Sequence, residues 1–292
     1  MINILRIENI TKKFKKKNFF SSDLKEVIAA DSINFSVEQG KILAIAGQSG
    51  SGKSTIAKII LRAIKPDSGK IFYNQKEITD NSDELKEFRM KCQMIYQDPY
   101  DSINPRMTVL DIVNEPLEIH NVCTKKERKQ KVIETLQMVK LEPAEEISKK
   151  YPHMLSGGQW QRVVIARAIV VQPEIIIADE PVSMLDVSIR AEILELMKEI
   201  QLKNKISMIY ITHDLATAKH FADNIIILNS GKIMEAGTIN KVLTNPENAY
   251  TKSLIAAISE PDPNNLYKER KIVFKDTNKN NLSWREWFWA GI

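Results

Sequence analysis

The sequence predicts an α/β fold: a mostly parallel sheet flanked by helices, with an antiparallel β subdomain, a helical subdomain and a C-terminal extension. Three observations carry this reading. From Glu174 onward, short apolar runs (EIIIAD, SMIYIT, NIIILN) alternate with helical patterns (SIRAEILELMKEIQ, LATAKHFA), the order of a parallel sheet covered by helices. Earlier, the apolar run Lys41 to Ala46 ends in a glycine-rich turn and leads into STIAKIILRAI, which is how a βαβ unit opens. Ahead of it, apolar and polar residues alternate in pieces such as LRIENI and VIAADSINFSV, the period of half-buried strands.

Taken in order, Ile4 to Val37 reads as antiparallel strands separated by a polar excursion, Lys15 to Glu26. Residues 81–150 carry apolar pairs at helical spacing among charge blocks such as Lys125 to Lys131, which predicts a mostly helical insertion. After about Glu260 the chain turns polar (EPDPNNLYKERK), and a separate extension begins there.

Composition excludes several classes. The 292 residues are 43% hydrophobic and 27% charged, a globular balance rather than a disordered or collagen-like one. No stretch approaches the ~20 apolar residues that span a bilayer. The N-terminal apolar residues precede the lysines, the reverse of a secretory signal. A soluble protein is expected, recruited to a membrane if it works at one. The net charge of +5 is modest, and the run Lys12, Lys13, Lys15, Lys16 and Lys17 reads as a solvated loop rather than a nucleic-acid or lipid contact. Cys92 and Cys123 lack metal-ligand spacing and form no disulfide framework, so a reducing compartment is expected.

Chemistry is carried first by Gly47-Gln48-Ser49-Gly50-Ser51-Gly52-Lys53-Ser54-Thr55, which satisfies G-x-x-x-x-G-K-[ST] between a predicted strand and a predicted helix. Its glycines let backbone N–H groups curl around phosphates, and the helix N-terminus adds partial positive charge. Lys53 is placed to reach the β- and γ-phosphates and Ser54 to ligate Mg²⁺. The core is thus that of a P-loop NTPase. A second site follows at Ile175 to Pro181, where three apolar residues put Asp179 at a strand end to hold Mg²⁺. Glu180, next along, is placed to polarise an attacking water.

These motifs are followed by Leu155-Ser156-Gly157-Gly158-Gln159 with Gln161-Arg162, which resembles the signature of ABC-type ATPases. The order is also similar to that family: phosphate loop, Gln97 in MIYQD, LSGGQ, then ADEP. Ser183-Met184-Leu185-Asp186 resembles the D-loop, with Met184 where the family more often has Ala. His213 in YITHD resembles the switch histidine, and Gly231 to Gly237 the β-turn that follows. The resemblance implies an ABC-type ATP-binding domain over residues 3–260, with a helical subdomain at about 100–160, and a C-terminal extension over 261–292. It implies ATP and Mg²⁺ as cofactors, and a head-to-tail ATPase dimer in which Ser156, Gly157, Gly158 and Gln159 complete the partner's site. Within the chain, Glu180, His213 and Gln97 are the implied catalytic residues. Phe14 stacks on adenine, Gln97 also contributes to Mg²⁺, and Asp186 belongs to the D-loop. Glu180, Lys53 and His213 are all retained, which argues against a non-catalytic module.

The segment Asp98 to Val109 (DPYDSINPRMTV) resembles an element of the ATPases from the oligopeptide, dipeptide and nickel import group. Tyr250 to Leu254 and Glu260-Pro261-Asp262-Pro263 resemble that group's terminal extension, although Asn248-Ala249-Tyr250 replaces the usual His-Pro-Tyr. The excursion with Phe19 and Phe20 is similar to a hairpin that group often lengthens. Implied partners are a second, different ATPase subunit, two transmembrane permease subunits and an extracytoplasmic solute-binding protein, with no nucleic acid. The implied location is the cytoplasmic side of the cell membrane, held peripherally. The extension lacks the cysteines that carry an iron–sulfur cluster in some members, so no cluster is expected. Peptides are the expected solute; nickel or a metal chelate, and an export or lipoprotein-release ATPase, remain alternatives. The tail NLSWREWFWAGI holds three of the four tryptophans; Ser283 and Glu286 have capping-box spacing there, and no function is assigned to it.

Overall fold

In the computed structural model, residues 2–17, 24–98 and 103–257 are described. Two sheets and ten α-helices are found among them. The antiparallel sheet takes its strands from β1 (Asn3–Lys17), β2 (Leu24–Glu38), β4 (Ser68–Tyr73) and β5 (Lys76–Glu77), in the order β2-β1-β4-β5. The larger sheet comprises β3 (Ile42–Ala46), β6 (Cys92–Ile95), β7 (Ile175–Asp179), β8 (Ser207–Thr212), β9 (Asn224–Asn229) and β10 (Lys232–Thr238). Its order is β10-β9-β3-β8-β7-β6, parallel throughout except for β10, which runs antiparallel to β9.

The continuous apolar runs seen in the sequence have a simple physical cause. Both faces of the six-stranded sheet are covered, so successive residues of a strand enter different cores. On β3, Ile42, Ala44 and Ala46 face one core, shared with Ile176, Ala178, Met208 and Tyr210. Leu43 and Ile45 face the other, with Ile175, Ile177, Ile209 and Ile211. The first core is closed by α3 (Val109–Ile119), α4 (Lys125–Met138), α6 (Gly157–Ile169), α7 (Val187–Asn204) and α8 (Leu215–Phe221). The second is closed by the antiparallel sheet, α1 (Lys53–Ile60) and α2 (Ser82–Lys91). Each fully buried Ile or Leu contributes about 1.5–3 kcal/mol, so the two cores fix the strand ends rigidly. The remaining helices are α5 (Ala144–Ser148), α9 (Ile239–Thr244) and α10 (Ala249–Ala256).

The structure corrects two element readings. The excursion from Lys15 to Glu26 is shorter than its composition suggests: β1 and β2 stay paired through Lys15↔Glu26, Lys16↔Lys25 and Lys17↔Leu24. A two-stranded ribbon beyond the last partner on β4 has no core face, so lysines there keep backbone pairing without an apolar alternation. The mostly helical stretch expected over 81–150 opens with α2 but is interrupted by β6 (CQMI), which pairs in register with β7, Cys92↔Ile175 to Ile95↔Ala178. Four residues between helices leave no period for a sequence to show. The helices beyond it run from Val109, and α6 continues to Ile169, past the expected limit near 160. Phe19 and Phe20, residues 99–102, Glu260 to Pro263 and the tryptophan-bearing tail lie outside the described residues.

Candidate active site

The parallel strands all end on one edge of the sheet, where Ala46 pairs with Thr212 and Asp179 with Ile211. In open α/β sheets this carboxyl edge is where ligands bind. The loop from Gly47 to Thr55 leaves β3 there and enters α1. Two of its glycines are required by their neighbours. A Cβ on Gly47 would lie 2.1 Å from the Leu228 carbonyl oxygen, and one on Gly52, at φ +107°, would lie 2.1 Å from that of Ala29. The loop is thus wedged between β9 and the antiparallel sheet.

Inside it, Lys53 is 5% exposed and its Nζ donates to the carbonyl oxygens of Gly47 and Gln48, each at 2.8 Å. Burial lowers its pKa, and the charges of Glu180 and Asp179 oppose that effect. The ammonium therefore curls within the loop, where a phosphate oxygen would replace the carbonyls. Ser51 is buried with its hydroxyl unpartnered, while its carbonyl accepts from the Gly231 N–H at 2.9 Å.

Asp179 ends β7 and is 4% exposed. Burial raises its pKa, against a hydrogen bond from the Ser54 side chain and the pull of Lys53. Its Oδ1 is buried without any hydrogen-bond partner. A desolvated carboxylate oxygen left open beside a serine hydroxyl fits a hard divalent cation, which prefers oxygen ligands. The expected Mg²⁺ ligands Ser54 and Asp179 are thus together.

Glu180 follows in the left-handed region, φ +46°. Its N–H donates to the Ile211 carbonyl at 2.9 Å, which turns the side chain away from the strand. Both carboxylate oxygens are engaged: Oε2 accepts from Gln97 Nε2 at 3.2 Å, and Oε1 lies 3.0 Å from His213 Nδ1. Two residues that follow β6 and β8 thus converge on the carboxylate that follows β7, from 83 and 33 positions away in sequence.

The structure places the other expected site residues in two further locations. Ser156 caps α6: its hydroxyl accepts from the Gln159 N–H at 3.3 Å, and Gln159 Oε1 accepts from the Ser156 N–H at 3.1 Å. Gly157 and Gly158 stand against Leu185 and Ile189, where a Cβ on Gly158 would come within 2.9 Å of Ile189 Cγ2. The signature therefore packs on the segment that follows Glu180, and Asp186 stands beside it at the N-terminal end of α7 without a side-chain capping hydrogen bond. Phe14 is 38% exposed on β1, opposite Val27, with Lys12 Nζ 5.7 Å from its ring centre. It is a surface aromatic rather than a core one. Sequence reasoning missed Arg190 and Asp214, which meet behind Glu180 at 3.8 Å; the N-capping position of Asp214 after THD was the available signal for the latter.

Phosphate loop, strand-end carboxylates, signature-bearing helix and two-sheet core together define an ATP-binding cassette. Residues 30–183, just over half of the chain, match the family model described as ABC transporter, and the chain belongs to that family. It is an ATPase.

Its relatives are specific. The chain is 44% identical to the oligopeptide transport ATP-binding protein OppF of Bacillus subtilis, over 85% of this chain and 81% of that protein. It is 40% identical to the dipeptide transport ATP-binding protein DppF of Haemophilus influenzae, over 87% and 77% respectively. A dimeric ATP-binding cassette solved in a post-hydrolysis state with ADP and Pi superposes with a TM-score of 0.70 at 31% identity, covering 80% of this chain and 98% of that one. Among the described residues no helix is long and apolar enough to cross a membrane.

Proposed function

We propose that the chain is the ATP-hydrolysing subunit of an importer that takes up di- and oligopeptides across the cytoplasmic membrane. The observation that carries the chemistry is the convergence of Gln97 and His213 on the Glu180 carboxylate beside the phosphate loop. The solute class rests on the peptide-transport relatives.

In this reading the N–H groups of the loop, with Ser49, Gly50, Ser51, Gly52 and Thr55, cradle the phosphates, and Lys53 holds the β- and γ-phosphates. Phe14, exposed on its strand, stacks on adenine. Ser54, Asp179 and Gln97 would hold Mg²⁺, which would neutralise phosphate charge and polarise the γ-phosphoryl group. Glu180 accepts the proton of the attacking water as it adds to the γ-phosphorus, ADP leaves, and His213 keeps the carboxylate and γ-phosphate aligned. Ser156 to Gln159 act on the nucleotide of a facing subunit in a head-to-tail dimer, whose closure then depends on the γ-phosphate. Partners are a second ATPase subunit, two permeases and an extracytoplasmic binding protein. The cassette extends over residues 3–260 with an extension beyond.

The test is uptake of labelled di- and oligopeptides, and of Ni²⁺, in cells lacking this chain and restored with wild type or Glu180→Gln. Peptide uptake rescued by wild type alone is the expected result. Rescue of Ni²⁺ uptake only, or normal peptide uptake without the chain, contradicts it.

A further inference from the structure

Behind the Glu180–His213 pair lies a small cleft lined by Ser183, Arg190, Tyr210, Asp214 and Thr217 together with Glu180 and His213. The contacts around this cleft form a closed ring. Starting from Glu180, its carbonyl accepts from the Ser183 hydroxyl at 3.0 Å and from the Ser183 N–H at 3.2 Å. The chain then runs through Met184 to Leu185, whose carbonyl accepts from Arg190 Nη2 at 3.2 Å. On its other side Arg190 Nη1 lies 3.8 Å from Asp214 Oδ2. Asp214 is the residue after His213, and His213 Nδ1 returns to Glu180 Oε1 at 3.0 Å.

Arg190 is the one member of the ring that joins three segments without being in the segment that bears Glu180 or the turn that bears His213. It leaves the first turn of α7 and folds back over the residues that enter it. Its side chain is 30% exposed, and its Nε is buried with no hydrogen-bond partner. A guanidinium with an unsatisfied buried N–H is not in its most stable setting for a purely structural role. Asp214 in turn is held on both sides. Its Oδ1 accepts from the N–H groups of Ala216 and Thr217 at 2.9 and 3.3 Å, and its own N–H donates to Thr212 Oγ1 at 2.9 Å. That anchorage makes Asp214 stiff, so a displacement of Leu185 reaches the His213 turn through Arg190 rather than being absorbed. The exposed side of the same segment, Met184 at 67% and Val187 at 81%, is where a contacting surface would push.

We propose that Arg190 is a positioning residue that couples the Ser183–Asp186 segment to the Glu180–His213 pair, so that contact with the exposed segment sets the catalytic carboxylate. This rests on the roles proposed above for Glu180 and His213. The fixed geometry matters because misplacing a reacting group by about 1 Å can lower a rate by on the order of a hundredfold.

The experiment uses the full-length chain within its membrane complex, purified through a tag on this chain. ATP turnover is measured for wild type, Arg190→Met, Arg190→Lys, Asp214→Asn, the Arg190→Met/Asp214→Asn double variant and Glu180→Gln. Asn at 214 keeps the capping oxygen and removes only the charge. Expected for Arg190→Met and for Asp214→Asn is a fall in kcat of about tenfold, with KM for ATP and the melting midpoint near wild type. The double variant falls no further than the worse single, because both break one link. Arg190→Lys recovers part of kcat. Wild-type kcat in Arg190→Met, additive losses in the double variant, or losses of kcat that track the melting midpoint overturn the coupling role. Should Arg190→Met fail to assemble, Arg190→Lys and Asp214→Asn give the same reading. Glu180→Gln separates the two layers of the account: turnover by it removes the site reading itself, whereas its inactivity beside an unimpaired Arg190→Met removes only the coupling.

Discussion

Lys53 and Asp179 are buried charged side chains whose environments push them in opposite directions, the ammonium's pKa down and the carboxyl's up. Each is held in its ionised form less favourably than in water, and each gains from a ligand that restores charge partners: phosphate oxygens for Lys53, a divalent cation for Asp179. Asp179→Asn retains the shape and removes the charge, so the Mg²⁺ concentration for half-maximal ATPase activity should rise about tenfold or more. An unchanged Mg²⁺ dependence in a titration of turnover would remove Asp179 from that role. Lys53→Ala should weaken ATP binding itself, read by equilibrium binding of a fluorescent ATP analogue, and unchanged affinity would refute the phosphate contact. These residues were legible in the sequence because their chemistry depends on neighbours a fixed number of positions away. Arg190 and Asp214 were not, since they act across 24 positions that only the fold brings together.

Helix α6 shows the same distinction at the level of an element. Its start carries a local capping signal, a serine followed three residues later by a glutamine, and both reciprocal hydrogen bonds are present. What the sequence did not reveal is why glycine occupies 158: α7 crosses so close that a Cβ would press on Ile189 Cγ2 at 2.9 Å. Gly158→Ala should therefore destabilise the protein by about 1–3 kcal/mol through overpacking, and Ile189→Ala in the same chain should recover part of it. Chemical denaturation of the single and double variants checks this; a double variant no more stable than Gly158→Ala would show that the crowding lies elsewhere. The strand β6 escaped prediction for the complementary reason. Cys92 and Met94 are buried in one core and Ile95 in the other, and pairing of so short a strand with distant β7 leaves no local periodicity to read. The lysine-rich end of the β1–β2 hairpin is a further case, where backbone pairing persists without an apolar face.

At the scale of the whole molecule, a sheet buried on both sides delivers the ends of β3, β6, β7 and β8 to one edge, so that residues far apart in sequence meet beside the phosphate loop. The architecture and the motif residues were legible because strand, loop and helix alternate with regular patterning. The meeting of Gln97, Glu180 and His213 was expected from resemblance and acquires its distances only in three dimensions. The antiparallel sheet and the helices pack around the larger sheet from either face. In the proposed mechanism Glu180 activates the water that cleaves ATP. The most direct test measures phosphate release and bound nucleotide for wild type and Glu180→Gln in the assembled complex. The variant should lose turnover by at least about a hundredfold while retaining intact ATP. Phosphate release at the wild-type rate, or loss of ATP binding along with turnover, would contradict that mechanism.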